Sequence, residues 1–503
     1  MPAQCVTHGT ETATLRRIVA KATAADGNFA AISDDDWIGP TMKAAISSPL
    51  MLYPPKVAPA ERPLSLARLF IHLLRNPLSV LPRAAYEEPV TALRSPMGAV
   101  IWVSDPALVE EVLLTRAAAF EKTAVEKRVF AHTLRDGVLT AEGRLWRWQR
   151  RTMAPMFRHA DILRYVPAMA DAADEQLARW RLGANGAVRE IGEDMAETTF
   201  AIIARTMLAG GLPAEARTIK TATARTLSRI SWEMAYGLIG IPRWMPHPAY
   251  FQLRRLSNQL RRSVGDIITR RQASGDDTAD DLLGRLLAAR DPDSGEPMDH
   301  DRLVNNLLTL LEAGHETTSR ALTWTLYLLA RAPEWQSRIR AEIIAAAGDG
   351  PISADHLPRL ILTQQVLKES LRLYPPVPVM SRTAMTTSTL GGVEVPAGSM
   401  VVVPIWCIHR HHRLWSDPDR FDPTRFTPES EAEFPRGQFM PFGVGQRICL
   451  GAAFAMVEAT VVLAGLVRGA RFDWDGHYEP KPVSRITLQA KGGMPLRVTL
   501  LPV

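Results

Sequence analysis

The sequence predicts a mostly α-helical fold with small antiparallel β-sheets, on three observations. From about residue 105 to 375 apolar residues recur at helical spacing, and Pro- and Gly-bearing stretches such as RDPDSGEPMD separate the periodic segments. After Pro375 the texture shifts to short β-branched runs divided by turn residues, TTSTLGGVEVPAGSMVVVP, and a second such region, ITLQAKGGMPLRVTLLPV, closes the chain. Neither GxGxxG nor GxxxxGK[ST] occurs and no internal repeat is present, which argues against a fused nicotinamide- or flavin-binding module.

Length and composition set the frame. A chain of 503 residues, 46% hydrophobic, can bury a large core, as one large domain or several ordinary ones. Its net charge of +6 is scattered through the chain, the pattern of a mildly basic enzyme and not of a nucleic-acid binder. The three cysteines, Cys5, Cys407 and Cys449, are odd in number and widely spaced, which suits neither a disulfide framework nor a zinc site and favours a reducing, cytoplasmic setting.

In chain order, residues 1–60 are Ala- and Thr-rich with an acidic SDDDW cluster and end in the extended YPPKVAPAERP; they are expected to form an extension of unknown role ahead of a single domain over 61–503. No signal-length apolar run opens the chain, and no later segment supplies the roughly 20 apolar residues of a membrane span. Leu66 to Arg83 reads as a short amphipathic helix that either packs on the body or touches a membrane surface. AVIWVS reads as a strand, followed by a helix capped by Asp105 with Pro106 in its first turn. GRLWRWQRRTMAPMF places Trp146 and Arg150 on one helical face, while Arg144, Arg147 and Arg151 form either a docking patch or a solvated stripe.

The stretch LVNNLLTLLEAGHETTSRALTWTLYLLARAP reads as one long helix with a local kink at Ala313-Gly314, where the Thr317 hydroxyl can take the carbonyl of Ala313. A groove for a small ligand and a merely bent core helix with Glu316 in a surface ion pair both fit; His315 reads as structural. In LKESLRLYPP, Glu369 and Arg372 stand three apart as an ion pair before Pro375 ends the helix. The segment FMPFGVGQRICLG sets Cys449 in a glycine-bearing loop just before a helix. There glycine amides, the helix start and Arg447 would favour a thiolate, although an isolated cysteine is also commonly a small buried hydrophobe.

Phe442, Gly443, Gly445, Arg447, Cys449 and Gly451 resemble in full the F-G-x-G-x-R-x-C-x-G signature of the cytochrome P-450 family. AGHETT is similar to that family's (A/G)-G-x-(D/E)-T-T motif, Glu369 and Arg372 to its E-x-x-R, and Trp146 with Arg150 to its W-x-x-x-R. The resemblance implies the cytochrome P-450 fold, with a long oxygen-binding helix over haem b whose iron is ligated by Cys449. It implies that Thr317 hydrogen-bonds the oxygen ligand and that Glu316 relays protons. Arg425, in FDPTRF, would join Glu369 and Arg372; Thr424 departs from the usual glutamate beside it. Trp146, Arg150, Arg382 and Arg447 would hold the haem propionates, with Phe442 and Ala313 also at the cofactor. Ala313, Val377, Val379 and Leu488 would face a hydrophobic substrate of undetermined class. The expected activity is insertion of one atom of dioxygen by a monomer, with electrons from NAD(P)H reaching it through a separate ferredoxin- or flavodoxin-type donor and its reductase. Two rival activities, a peroxide-using or peroxide-rearranging enzyme and a non-catalytic haem sensor or carrier, are disfavoured by the Glu316–Thr317 pair.

Overall fold

The computed structural model describes residues 51–95, 98–208, 215–275, 281–291 and 293–502; the SDDDW cluster and the rest of the first 50 residues lie outside the described residues. The compact body begins at Leu52 and not at residue 61 as expected. Leu52 is buried and its carbonyl accepts the Phe421 amide (2.9 Å), while the Pro55 carbonyl accepts the Tyr374 hydroxyl (2.8 Å). The start of the extended YPPKVAPAERP is therefore tied into the body by hydrogen bonds.

The first half of the chain contributes α1 (Leu66–Arg75), β1 (Val90–Ser95), β2 (Gly98–Val103), α2 (Pro106–Glu110), β3 (Phe120–Glu121), α3 (Ala124–Phe130), α4 (Gly143–Met153), α5 (Val166–Arg181), β4 (Val188–Glu190) and α6 (Ile191–Leu208). Then come α7 (Ala216–Arg229), α8 (Ser231–Leu238), α9 (Tyr250–Ser274), α10 (His300–Arg331), α11 (Pro333–Ala347) and α12 (Ile361–Leu373). The last part holds β5 (Met380–Ala384), β6 (Ser388–Leu390), β7 (Val393–Val395), β8 (Met400–Val403), α13 (Ala452–Gly469), β9 (Ala470–Asp473), β10 (Lys481–Ser484), β11 (Leu488–Lys491) and β12 (Pro495–Leu500), with short helical turns between.

Local chemistry sets the boundaries. The Asp105 carboxylate accepts the Ala107 and Leu108 amides and Pro106 opens α2, as the sequence predicts. The amphipathic helix stops at Arg75 instead of reaching Arg83, because Pro77 cannot continue it; Asn76 then caps the next turn by accepting the Leu78 amide. Asp299 caps α10 through the Arg302 amide (2.8 Å), and Pro333 ends it by opening α11.

The 32-residue α10 crosses the main hydrophobic core, packed against α6, α9, α12 and α13. It runs unbroken through the expected kink. A Cβ at Gly314 would stand 2.8 Å from Ile203 Cδ1, so this glycine admits α6 to close packing, and the Thr199 hydroxyl donates to the His315 carbonyl (3.0 Å) across the same contact. A second core lies under a five-stranded sheet of order β1-β2-β8-β5-β3. Within that sheet one pair is parallel, β2 with β8, Ile101 opposite Val401, joined by a crossover that contains most of the helices; its other pairs are antiparallel. The remaining sheets, β4-β12-β9, β6-β7 and β10-β11, are antiparallel. Among the described residues only α13 is long and apolar enough to cross a membrane, and most of it is buried in the core.

Candidate active site

The cysteine loop is shaped by two glycines in the left-handed region, Gly443 (φ +72°) and Gly445 (φ +78°). A Cβ at position 445 would lie 2.1 Å from the Leu113 carbonyl oxygen, so the loop can press this closely on the chain beneath it only with glycine there. The Cys449 amide donates to the Phe442 carbonyl (2.9 Å), closing the loop, and α13 starts three residues later. Cys449 is exposed, and it opens onto a cavity of about 1550 Å³. Although the sulfur faces the cavity, the protein packed around it pushes the thiol above its ordinary value, while the Gly451 amide and the Arg150 charge pull the other way. Arg150 is a cation that acts on the sulfur.

Arg447 is engaged elsewhere. It donates to the Ala141 carbonyl (2.8 Å) and to Glu142 Oε2 (2.5 Å), and its guanidinium lies 4.0 Å from the centre of the Trp146 ring, with Arg150 at 5.9 Å from the same ring. Arg382 is buried, donates to the Ser381 carbonyl (2.7 Å), and lies near Glu126 and Glu142. Lys122, absent from the sequence reading because nothing local marks it, is buried in an ion pair with Glu126 near Arg382 and Arg447. Lys122, Arg150, Arg382 and Arg447 all line the cavity, and Glu126 and Glu142 are the carboxylates that act on this group, Arg150 excepted. Four cations against two carboxylates leave a positive surplus, which suits a group carrying two carboxylates, as haem does. The residues present fit haem.

The α10 residues Ala313, Glu316 and Thr317 line the same cavity. The Thr317 hydroxyl donates to the Ala313 carbonyl (2.7 Å), as expected. Glu316 is buried, not in a surface pair: Oε1 accepts from Arg320 Nε (3.0 Å) and Nη2 (2.9 Å), and from the Thr487 hydroxyl (3.1 Å). Burial pushes its carboxyl up, but the Arg320 charge, His315 and these hydrogen bonds outweigh it and hold it below its ordinary value. His315 is structural, its Nδ1 on the Leu311 carbonyl (2.6 Å) and its ring edge-on to Phe200.

Glu369 and Arg372 are fully buried and joined by two hydrogen bonds of 2.6 and 2.8 Å, not an exposed pair. Arg372 also donates to the His409, Pro418 and Arg420 carbonyls, and Arg425 Nε stands 3.6 Å from Glu369 Oε1, so the three charges tie α12 to the chain ahead of the cysteine loop. Of the substrate-facing positions, Ala313, Val377 and Val379 line the cavity. Leu488 does not: it is fully buried in the main core, its amide on the Pro376 carbonyl (2.9 Å), and Ile486 and Thr487 face the cavity instead. Sequence reasoning also missed two acids. Burial pushes Glu312 and Glu458 up to about 8, against a weaker opposing contact from Thr223 and Thr318 respectively.

The chain is similar to known proteins over most of its length. The family model described as Cytochrome P450 matches residues 65–495. Pentalenene oxygenase of Streptomyces avermitilis is 31% identical over 429 residues, covering 85% of this chain and 94% of its own. Cyclooctat-9-en-7-ol 5-monooxygenase of Streptomyces melanosporofaciens is 31% identical over 394 residues, 78% of this chain and 84% of its own. A cytochrome P450DA heme domain superposes with a TM-score of 0.73 at 26% identity, covering 82% of this chain and 90% of that one. With a cavity suited to haem and these matches over most of its length, the chain belongs to the cytochrome P450 family and is a haem-thiolate monooxygenase.

Proposed function

We propose that Cys449 ligates the iron of haem b, and that Trp146, Arg150, Arg382 and Arg447, joined by Lys122, hold its propionates. The observation that carries this reading is one cavity lined at once by Cys449, by these cations and by Thr317. Bound haem supplies the redox chemistry that activates dioxygen, and a thiolate ligand favours O–O cleavage. The protein's own part is positional. Cys449 is presented by a rigid loop; Thr317 holds a hydroxyl proton in the cavity at the turn anchored by Ala313; Glu316, charged and held by Arg320 and Thr487, passes protons toward that hydroxyl. Ala313, Val377, Val379 and Ile486 exclude water and favour a hydrophobic substrate, one atom of dioxygen being inserted into it. The names of two relatives, for pentalenene and cyclooctat-9-en-7-ol, point the same way.

Electrons come from NAD(P)H through a separate ferredoxin- or flavodoxin-type protein and its reductase, to a monomer in the cytoplasm. The exposed Arg147 and Arg151, on the helix whose Arg150 lines the cavity, support an acidic donor docking there, whereas Arg144 is paired with Asp293 (2.7 Å). The test is the absorption spectrum of the purified protein, reduced and exposed to carbon monoxide. A strongly red-shifted Soret band that Cys449→Ser abolishes is expected; haem bound without that band would refute Cys449 ligation.

A further inference from the structure

The threonines of α10 return their hydroxyls to the helix. Thr309, Thr317, Thr323 and Thr325 each donate to the carbonyl four residues back, at 2.6 to 2.7 Å. On α7, Thr223 (3% exposed) and Thr226 (5%) do not; Thr223 stands close enough to Glu312 to act on its carboxyl, but neither hydroxyl makes a hydrogen bond of good geometry with a described residue. Both line the cavity, as does Glu312 on α10, whose buried Oε1 also lacks a partner. The cavity wall around them, Leu227 of α7, Leu310 of α10 and Ile203 and Met207 of α6, is apolar. Unsatisfied polar atoms in an apolar wall are costly, so this group bordering one cavity marks a place where a ligand supplies the missing bonds.

We propose that Glu312, Thr223 and Thr226 form a polar subsite that receives a hydroxyl group on an otherwise apolar substrate. This rests on the haem-thiolate reading and adds to it what anchors the substrate. A hydroxyl both donates and accepts, matching a carboxyl and two hydroxyls that do the same. Burial and the nearby Glu316 charge favour the neutral carboxylic acid, so the subsite carries no fixed charge for an ammonium group, and desolvating such a group would cost more than desolvating an alcohol. Anchoring one end of the molecule fixes which carbon is presented for oxidation.

The test uses holoprotein and matched probes: decalin and decalol, adamantane and 1-adamantanol, androstane and 3-hydroxyandrostane, each titrated while the spin-state shift of the Soret band is read. At least one alcohol is expected to bind about tenfold tighter than its parent hydrocarbon. That preference should largely vanish in Glu312→Leu and in the Thr223→Val, Thr226→Val double variant, and survive in part in the near-isosteric Glu312→Gln. The carbon monoxide band of each variant verifies that it folds and holds haem. No alcohol preference in the wild type, or one unchanged in Glu312→Leu, overturns the subsite; so does tighter binding of trimethyl-1-adamantylammonium than of 1-adamantanol, which would mean a cation site. Loss of the carbon monoxide band in the wild type would instead sink the haem-thiolate reading, and the subsite with it.

Discussion

At the scale of single residues, similar side chains differ by what they touch. The Thr317 hydroxyl is satisfied by the Ala313 carbonyl, so Thr317→Ala removes a bond that contributes little to the helix and should change stability by less than about 0.5 kcal/mol. If that hydroxyl also positions a proton, the same variant should lower product formed per dioxygen consumed by at least about tenfold, with haem content intact. Unchanged coupling would show that the threonine is only a helix residue. Glu458 differs in kind. Its carboxyl is held neutral to about pH 8 in the folded protein, against an ordinary value of 4.5. Between those values the folded state keeps a proton that the unfolded chain has released, so stability falls as pH rises. Glu458→Gln removes that dependence and is expected to stabilise the protein at pH 7 by about 2–3 kcal/mol, with little effect at pH 5. Urea unfolding midpoints at the two pH values read this directly, and a variant less stable than wild type at both would contradict it.

At the scale of elements, the cysteine loop was legible because its constraints are local: glycines, cysteine and helix start lie within a few residues, and each is needed where it stands. The two glycines are nevertheless unequal. At Gly443 a Cβ would meet Met380 Sδ at 3.5 Å, an ordinary contact, so Gly443→Ala carries only the backbone cost of a positive φ, about 1–3 kcal/mol. At Gly445 the same Cβ would strike the Leu113 carbonyl, and the loop must move, taking Cys449 with it. Gly445→Ala is therefore expected to lose most of the red-shifted carbon monoxide band per mole of protein, and Gly443→Ala to keep most of it; equal bands would mean that the loop tolerates displacement. Elements whose register depends on distant partners were not legible. Leu488 looked like a cavity residue, but its place at the start of β11, opposite Ser484, sends it to the core while Ile486 and Thr487 reach the cavity. Gly314 lines the cavity, and it also packs closely on Ile203, a contact between residues more than 100 positions apart that neither segment shows by itself. The parallel pairing of β2 with β8 spans about 300 residues and leaves no trace in either strand's own pattern.

At the scale of the whole molecule, the charges around the cavity come from segments that only the fold assembles. Lys122 follows β3, Arg150 lies on α4, Arg382 on β5 and Arg447 in the cysteine loop. Sequence reasoning found the three arginines because motifs mark them, and passed over Lys122, whose surroundings exist only in three dimensions. Burial lowers the proton affinity of Lys122 and of each of the three arginines, and Lys122, Arg382 and Arg447 feel repulsion from one another, which Glu126 and Glu142 offset in part. A ligand bearing two carboxylates relieves that repulsion, so its binding free energy adds to folding. Protein freed of haem should therefore melt well below the holoprotein. Because these charges line a cavity that water and salt enter when haem is removed, adding salt should raise the melting temperature of the haem-free form more than that of the holo form. Arg382→Gln removes one of the repelling charges. It should narrow the salt response of the haem-free form and weaken haem retention, by about tenfold if one charge-assisted hydrogen bond is lost. A salt response equal in the two forms, or haem retention unaffected by Arg382→Gln, would place the propionates elsewhere.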